Sequence, residues 1–226
     1  MMDEEKVIVR KLESLGAGKK GYRREYFVGK KKVATEILNE TMDTLEFDGK
    51  IPDGTVKEFY DNGKVFFECP YKSGKRNGMS RTRLESGVIH LEKEYKDGLL
   101  HGVVRVYYPG GLLQKELAYR EDIQTGKQKK YYSNGALLEM SEYSEGFLDG
   151  RSVTYLENGF IHSQSFYKKD KLVGDKIIYH KNGTIALISP YSDGKANGTA
   201  KKYSEDGHVL EEWYFERGAL VFKRSV

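Results

Sequence analysis

GKQKKYYSNGALLEMSEYSEGFLD, residues 126–149, is one unit of a pattern that recurs every 24 residues along most of this chain of 226 residues. An aromatic residue closes each unit, and two glycines hold fixed places within it. The first glycine series is Gly54, Gly78, Gly102, Gly126, Gly150, Gly174 and Gly198. The second is Gly63, Gly87, Gly111, Gly135, Gly159, Gly183 and Gly207. The closing aromatics are Phe47, Tyr71, Tyr95, Tyr119, Tyr143, Tyr167, Tyr191 and Phe215. A fixed period of this length indicates a repeat architecture.

Each unit contains the pattern of a β-hairpin. Residues 127–132 and 136–143 are predicted to be strands, joined by the turn SNG. The residue before the second glycine is usually Asn, Asp or Ser, and Asn-Gly and Asp-Gly pairs favour tight hairpin turns because they tolerate positive φ. A third position, Gly74 in the first complete unit and Asp122 or Asp170 in others, predicts another turn between consecutive hairpins.

The faces of the predicted sheet follow from the period-two alternation of strands. A short turn pairs Tyr131 with Leu137, and alternation is expected to place Tyr143 on the same face. One column of that face contains Phe59, Arg83, Tyr107, Tyr131, Tyr155, Tyr179 and Tyr203. The acidic column Glu68, Glu92, Glu116 and Glu212 is expected on the other face. The sequence thus predicts an all-β fold, an elongated single-layer array of antiparallel β-hairpins with a 24-residue period.

The domain boundaries follow from the repeat. Residues 1–20 match no unit and are expected to form an N-terminal cap or a mobile segment. Residues 21–53 form a degenerate repeat, which keeps a glycine turn at Gly29 and the closing aromatic Phe47. Residues 54–226 contain seven repeats and a C-terminal tail. The repeats span residues 54–77, 78–101, 102–125, 126–149, 150–173, 174–197 and 198–221.

Composition argues against several classes of function. The net charge is only +4 and acidic residues are interspersed, so no nucleic-acid partner is expected. The single Cys69 and five scattered histidines predict no metal site, and no cofactor is expected. GAGKKG, residues 16–21, matches a dinucleotide glycine pattern, but a β-like segment follows it instead of a helix. Because repeats supply like residues along a line, we expect no enzyme.

The unit resembles the MORN repeat in its bacterial variant form, found in YwqK-type antitoxins. The resemblance rests on the glycines, the paired tyrosines and the closing aromatic of residues 54–218, and more weakly on residues 21–53. It implies a β-hairpin array with a non-catalytic binding role toward proteins or, alternatively, membrane lipids. The chain departs from the short MORN unit in its 24-residue period and in Arg83, which replaces the usual aromatic.

A basic column is the clearest candidate for partner binding. It comprises Lys57, Arg81, Arg105, Lys129 and Lys201, interrupted by Val153 and Ile177, and it lies two residues before the tyrosine column. Cations beside tyrosines can bind acidic peptides or headgroups, whereas a solvated Lys/Arg face that keeps the sheet soluble is the alternative interpretation. The candidate binding residues are Arg105, Lys129, Tyr107, Tyr131, Tyr155, Tyr179 and Tyr203.

The expected function is an extended protein-binding scaffold. The alternatives are an antitoxin that neutralises a cognate toxin and a peripheral binder of anionic membrane lipids. A cytoplasmic location is expected from the near absence of cysteine, and a secreted or cell-surface location is the alternative.

Overall fold

A computed structural model of the protein describes residues 7–15 and 20–226. Every regular element in these residues is a β-strand, and the prediction of an all-β repeat array is confirmed. The chain divides into two compact units, Met1–Gly111 (unit 1) and Leu112–Val226 (unit 2). No helix of the described residues is long and apolar enough to span a bilayer.

Unit 1 contains ten strands. They are β1 (Val7–Ser14), β2 (Tyr22–Val28), β3 (Lys31–Leu38), β4 (Thr44–Gly49), β5 (Gly54–Phe59), β6 (Val65–Lys72), β7 (Lys75–Arg76), β8 (Gly78–Arg83), β9 (Ile89–Lys96) and β10 (Leu99–Tyr107). Strands β5 to β10 follow one another as antiparallel neighbours. Part of the predicted N-terminal cap is a strand, because β1 lies within residues 1–20; residues 1–6 and 16–19 lie outside the described residues.

Strand β1 changes the topology of unit 1. It pairs antiparallel with β2 and parallel with β5, so it lies between them. The degenerate repeat then extends beyond β2 as β3 and β4, and β4 pairs only with β3 among the described residues. The GAGKKG segment lies mostly outside the described residues, but β2 follows it, as the β-like sequence predicted.

Unit 2 contains eleven strands in a regular antiparallel meander. They are β11 (Leu113–Arg120), β12 (Ile123–Tyr131), β13 (Leu137–Ser144), β14 (Phe147–Tyr155), β15 (Ile161–Lys168), β16 (Lys171–Tyr179), β17 (Ile185–Ser192), β18 (Lys195–Ala196), β19 (Gly198–Tyr203), β20 (Val209–Glu216) and β21 (Ala219–Ser225). The predicted start of a strand at Lys127 is wrong, because β12 begins at Ile123 and runs through Gly126. Strand β21 spans the end of the last repeat and the C-terminal tail, and it pairs with β20.

Two kinds of turn alternate along the array. In the SNG turn, the amide of Gly135 donates to the carbonyl of Tyr132 and the amide of Tyr132 donates to the carbonyl of Ala136. Only Gly135 has a positive φ, +87°. Asn134 instead accepts a hydrogen bond at its side-chain Oδ1 from the amide of Ala136, at 2.9 Å. Asparagine is therefore used here as a side-chain cap of the turn, not for left-handed backbone.

The connection between hairpins is a two-residue turn in which both residues have positive φ. Examples are Ser73 with Gly74 (52° and 77°) and Glu145 with Gly146 (52° and 85°). Two consecutive positive φ angles are what a type I′ turn requires, and its twist matches that of the strands. The predicted fixed turn at the third position is confirmed, with one more left-handed residue than the sequence indicated.

A register shift in each SNG hairpin decides which side chains share a face. Tyr131 pairs with Leu137, as predicted, but Lys130 pairs with Glu139, so one extra residue is inserted in β13. Since the side-chain period is two, this bulge moves every later residue of β13 to the other face. The prediction that Tyr143 shares a face with Tyr131 is therefore wrong. We call the side with Tyr131 the tyrosine face and the side with Tyr143 the closing face.

Unit 1 has a buried core on its closing face. The buried cluster comprises Ile8, Tyr26, Ala34, Ile51, Val56, Cys69, Tyr71 and Tyr95. It joins β1, β2 and β3 to the first repeats, so the N-terminal strands extend the sheet and contribute buried side chains to its closing face. Cys69 is part of this cluster, and burial raises the pKa of its thiol.

Candidate functional site

The tyrosine face of unit 1 carries a row of alternating charges. Successive strands contribute Lys57, Glu68, Arg81, Glu92 and Arg105, and each pairs directly with the next in the sheet register. Within this row the Arg81 guanidinium lies 3.0 Å from a carboxylate oxygen of Glu92 and 3.9 Å from one of Glu68. The expectation that the acidic column lies on the face opposite the basic column is wrong, and the bulge is the physical reason.

Arg83 and Tyr107, both in the tyrosine column, extend this network. The Arg83 guanidinium donates to Glu68 at 2.7 Å, so the arginine that replaces an aromatic completes an ion pair. The Tyr107 hydroxyl donates to Glu92 at 2.8 Å. Burial alone would raise the pKa of Glu92, but hydrogen bonds from Tyr107 and Arg81 and the neighbouring arginine charges outweigh it, so its pKa lies below the ordinary value. Arg105 and Tyr107, two predicted binding residues, thus both lie beside Glu92.

The same row in unit 2 has a different composition. In strand order it comprises Glu116, Lys129, Met140, Val153, Gln164, Ile177, Ile188, Lys201 and Glu212. Ion pairs flank the middle of the row, with 3.7 Å between Lys129 and Glu116 and 3.3 Å between Lys201 and Glu212. The middle five residues carry no charge. We call these five residues, Met140, Val153, Gln164, Ile177 and Ile188, the neutral centre.

In the neutral centre, uncharged residues replace both the basic and the acidic members of the cross-strand pairs. Val153 and Ile177 interrupt the basic column, and their cross-strand neighbours Met140, Gln164 and Ile188 interrupt the acidic column. Val153 is completely buried. Among these five residues themselves no charge faces an uncharged neighbour. The Arg151 guanidinium, from outside the row, donates to Gln164 at 2.6 Å.

The predicted tyrosines flank the neutral centre. Tyr155 and Tyr179 lie two residues after Val153 and Ile177 on the same strands and the same face, and Tyr131 and Tyr203 occupy equivalent places on β12 and β19. All four are half-buried. Tyr155 pairs with Ile161 and Tyr179 with Ile185 across the SNG hairpins, as predicted. With Lys129, which pairs with Met140, five of the seven predicted binding residues therefore share one surface with the neutral centre.

The sequence analysis missed a column of side chains that ties neighbouring repeats together. The Tyr132 hydroxyl donates to the carbonyl of Tyr155 at 2.8 Å, and the Tyr60 hydroxyl donates to that of Arg83 at 2.6 Å. His180 occupies the same repeat position, and its Nε2 lies 3.0 Å from the carbonyl of Tyr203. The signal was present in the sequence as the tyrosine or histidine that follows the tyrosine column in several repeats, at Tyr60, Tyr132 and His180. These contacts link the turn of one repeat to the backbone of the tyrosine-column residue in the next repeat.

Comparison with known families gives a match to a repeat family. The family model described as the MORN repeat variant matches residues 52–73, 124–145 and 196–221. The three matched segments begin three periods apart, and each contains one SNG-type hairpin and at least the first residue of the turn that follows it. No curated protein matches the chain. The matched segments are similar to the MORN repeat variant, and MORN repeats are commonly protein- or lipid-binding modules.

Proposed function

We propose that the protein is a non-catalytic repeat module that binds a protein partner through the tyrosine face of unit 2. The carrying observation is the neutral centre, an uncharged and mostly apolar row that is bordered by half-buried tyrosines and closed at both ends by paired charges. Protein interfaces have the same anatomy, with an aromatic-rich, charge-depleted middle and a polar rim. Tyrosine is also among the residues that carry most interface energy.

The same observation disfavours binding of anionic lipid at this face. Lipid headgroups are attracted by clustered, unneutralised Lys and Arg. Here Lys129 and Lys201 each lie within ion-pair distance of a glutamate. An antitoxin would be one particular protein-binding module, and that narrower assignment remains a prediction.

The experiment is affinity capture from lysate of the source cells, compared among three forms of the full chain. The test variant is Tyr155→Ser with Tyr179→Ser, which removes two rings beside the neutral centre. The matched control is Phe160→Ser, which removes an aromatic ring that is 56% exposed at a turn. Circular dichroism establishes that all three forms remain folded.

We expect one partner to be retained by the wild type and by Phe160→Ser, and to bind the double variant at least tenfold more weakly. In a flotation assay, none of the three forms should bind phosphatidylserine vesicles. Equal retention of the partner by the double variant would overturn the proposal, as would vesicle binding by the wild type that Lys129→Glu abolishes.

A further inference from the structure

Two cations of unit 1, Arg76 and Lys93, depart from the repeat. The other members of the Arg76 column are all uncharged: Pro52, Leu100, Gln124, Leu148, Leu172, Ala196 and Leu220. The other members of the Lys93 column are uncharged as well: Leu45, Cys69, Leu117, Ser141, Ser165, Ser189 and Trp213. The hairpin array forms without a charge at either position, so these two cations require a separate explanation.

The Arg76 guanidinium is held between two closing aromatics. Its Nη1 donates to the Tyr95 hydroxyl at 3.1 Å, and its Nε lies 3.5 Å from the Tyr71 hydroxyl. Its central carbon Cζ also lies 5.1 Å from the centroid of the Tyr95 ring. These partners are neutral groups, so they orient the guanidinium without neutralising its charge.

Lys93 brings a second positive charge to the same place. It lies two residues before Tyr95 on β9, so both side chains point to the closing face. Its neighbours across the adjacent strands are Ser80 and Val104, and neither is charged. Burial, and after it the charge of Arg76, hold the pKa of Lys93 below its ordinary value. The two cations therefore repel each other in a partly buried setting.

No carboxylate neutralises either cation within the described part of the chain. Glu92 and Glu94 flank Lys93 in the sequence, and the alternation of the strand points both of them to the tyrosine face. On the closing face, Glu36 and Glu58 are already paired with arginines. Because a partly buried charge without a counter-ion is costly, the two cations together favour an external anion.

Tyr71 and Tyr95 add two further hydrogen-bond donors. Each hydroxyl accepts from Arg76 and therefore keeps its own proton to donate. Neither hydroxyl donates to an acceptor in the described residues, although both side chains are only 8% exposed and buried tyrosines usually find a partner. Burial raises the pKa of the Tyr95 hydroxyl, so it stays protonated at neutral pH. A guanidinium, an ammonium and two hydroxyls thus lie together without an acid.

We propose that Arg76, Lys93 and the hydroxyls of Tyr71 and Tyr95 bind the phosphate group of a soluble phosphate monoester. Such a group carries about two negative charges at neutral pH and three strong acceptor oxygens, which match two cations and two hydroxyls. A carboxylate would leave one cation unneutralised. A membrane surface fits less well, because anionic lipids attract larger clusters of free Lys and Arg.

The probe is inorganic phosphate, added to the ¹⁵N-labelled full chain at neutral pH and constant ionic strength, with chloride as the reference anion. We expect saturable chemical-shift changes at the amides around Arg76 and Lys93. Arg76→Leu and Lys93→Ser introduce residues that other repeats carry at these positions, so both variants should fold, and thermal unfolding without phosphate verifies this. Each should weaken phosphate binding by about tenfold or more, because each removes charge-assisted hydrogen bonds.

The matched control is Lys57→Ser, which removes a cation from the tyrosine face of the same unit and should leave phosphate binding unchanged. A flotation assay with phosphatidic acid vesicles tests the source of the phosphate, since this lipid carries a phosphate monoester. We expect the wild type not to bind these vesicles.

Three results of the titration would overturn this inference: no saturable change at millimolar phosphate, an equal response to chloride, or unchanged binding when Arg76→Leu and Lys93→Ser are combined. Vesicle binding that Arg76→Leu abolishes would overturn the assignment to a soluble ligand. The site lies on the closing face of unit 1, so it does not depend on the function proposed above. Capture of a partner tests the tyrosine face of unit 2, whereas the phosphate titration tests this site alone.

Discussion

Gly126 lies directly opposite Tyr143 across β12 and β13. The same pairing of a first-series glycine with a closing aromatic recurs in other repeats, for example Gly54 with Tyr71 and Gly198 with Phe215. Glycine has no side chain, so the facing aromatic ring can lie over its backbone. The two most regular columns of the sequence therefore form one cross-strand contact, which explains why they keep the same spacing in every repeat.

Gly49→Ala should destabilise the protein by at least about 2 kcal/mol more than Gly29→Ala. A Cβ on Gly49 would lie 2.3 Å from the carbonyl oxygen of Val33, which is backbone on the paired strand and cannot turn away. Gly29 also has a positive φ, +58°, but its Cβ would meet nothing within 4 Å. Urea unfolding of both variants measures the difference. Equal midpoints would contradict the close pairing of β3 with β4.

Tyr132→Phe should cost about 1 kcal/mol of unfolding free energy, because it removes one hydrogen bond to the Tyr155 carbonyl and leaves that acceptor without the hydroxyl. Tyr167→Phe is the matched control, since no hydrogen bond of the Tyr167 hydroxyl holds a neighbouring repeat in the described structure. Thermal unfolding of the two variants side by side provides the comparison. A control that loses as much as Tyr132→Phe would show that the inter-repeat contact contributes nothing.

Protonation of Glu36 should make unit 1 less stable in acid. Burial alone would raise its pKa, but hydrogen bonds from Thr44, Arg24 and Tyr26 and the Arg24 charge outweigh burial, so the pKa lies below its ordinary value. A depressed pKa in the folded state gives stability that is fully present above the unfolded-state pKa of about 4.3 and is lost as the pH falls through the folded value.

The measurement is urea unfolding of wild type and Glu36→Gln between pH 7 and pH 3. We expect the wild type to be more stable at pH 7 and the difference to shrink as the pH falls through the acid range. A difference that is constant over the whole range would show that the ionised carboxylate has no role in the stability of unit 1.

Lys129 and Glu116 should show a favourable but small coupling. They lie 3.7 Å apart and are partly exposed, so a double-mutant cycle should give less than about 1 kcal/mol, and 1 M NaCl should reduce it. Lys129→Glu should be destabilising alone and largely repaired by Glu116→Lys. A coupling of zero at low salt would show that this ion pair contributes nothing to stability.

The fold was predictable because the signals that define it are local. Gly135, the alternation around it and the left-handed residues at Gly146 each lie within one 24-residue unit, and together they predict a hairpin array. The faces were not predictable by the same reasoning. The extra residue between Leu137 and Glu139 leaves no mark on the 24-residue period, yet it moves Tyr143 to the other face.

The candidate site was found only in part. The tyrosine and basic columns were visible in the sequence, whereas their relation to the acidic column depended on the bulge. The neutral centre required pairing across strands, since Met140 and Val153 come from different places in the repeat. The position of β1 beside β5 was equally hidden, because Val7 and Thr55 are paired without any repeat linking them.

The place of β1 also has a consequence for how the chain folds. Nearly every strand pairing joins neighbours in the sequence, so most of the sheet can assemble by successive closure of short loops, which is fast. The parallel pairing of β1 with β5 instead joins segments separated by nearly fifty residues, as the Arg10–Glu58 contact illustrates. Unit 2 contains no comparable pairing in its described strands. In a stopped-flow experiment, unit 2 should therefore acquire its strands first, and the entry of β1 between β2 and β5 should set the rate at which unit 1 is completed.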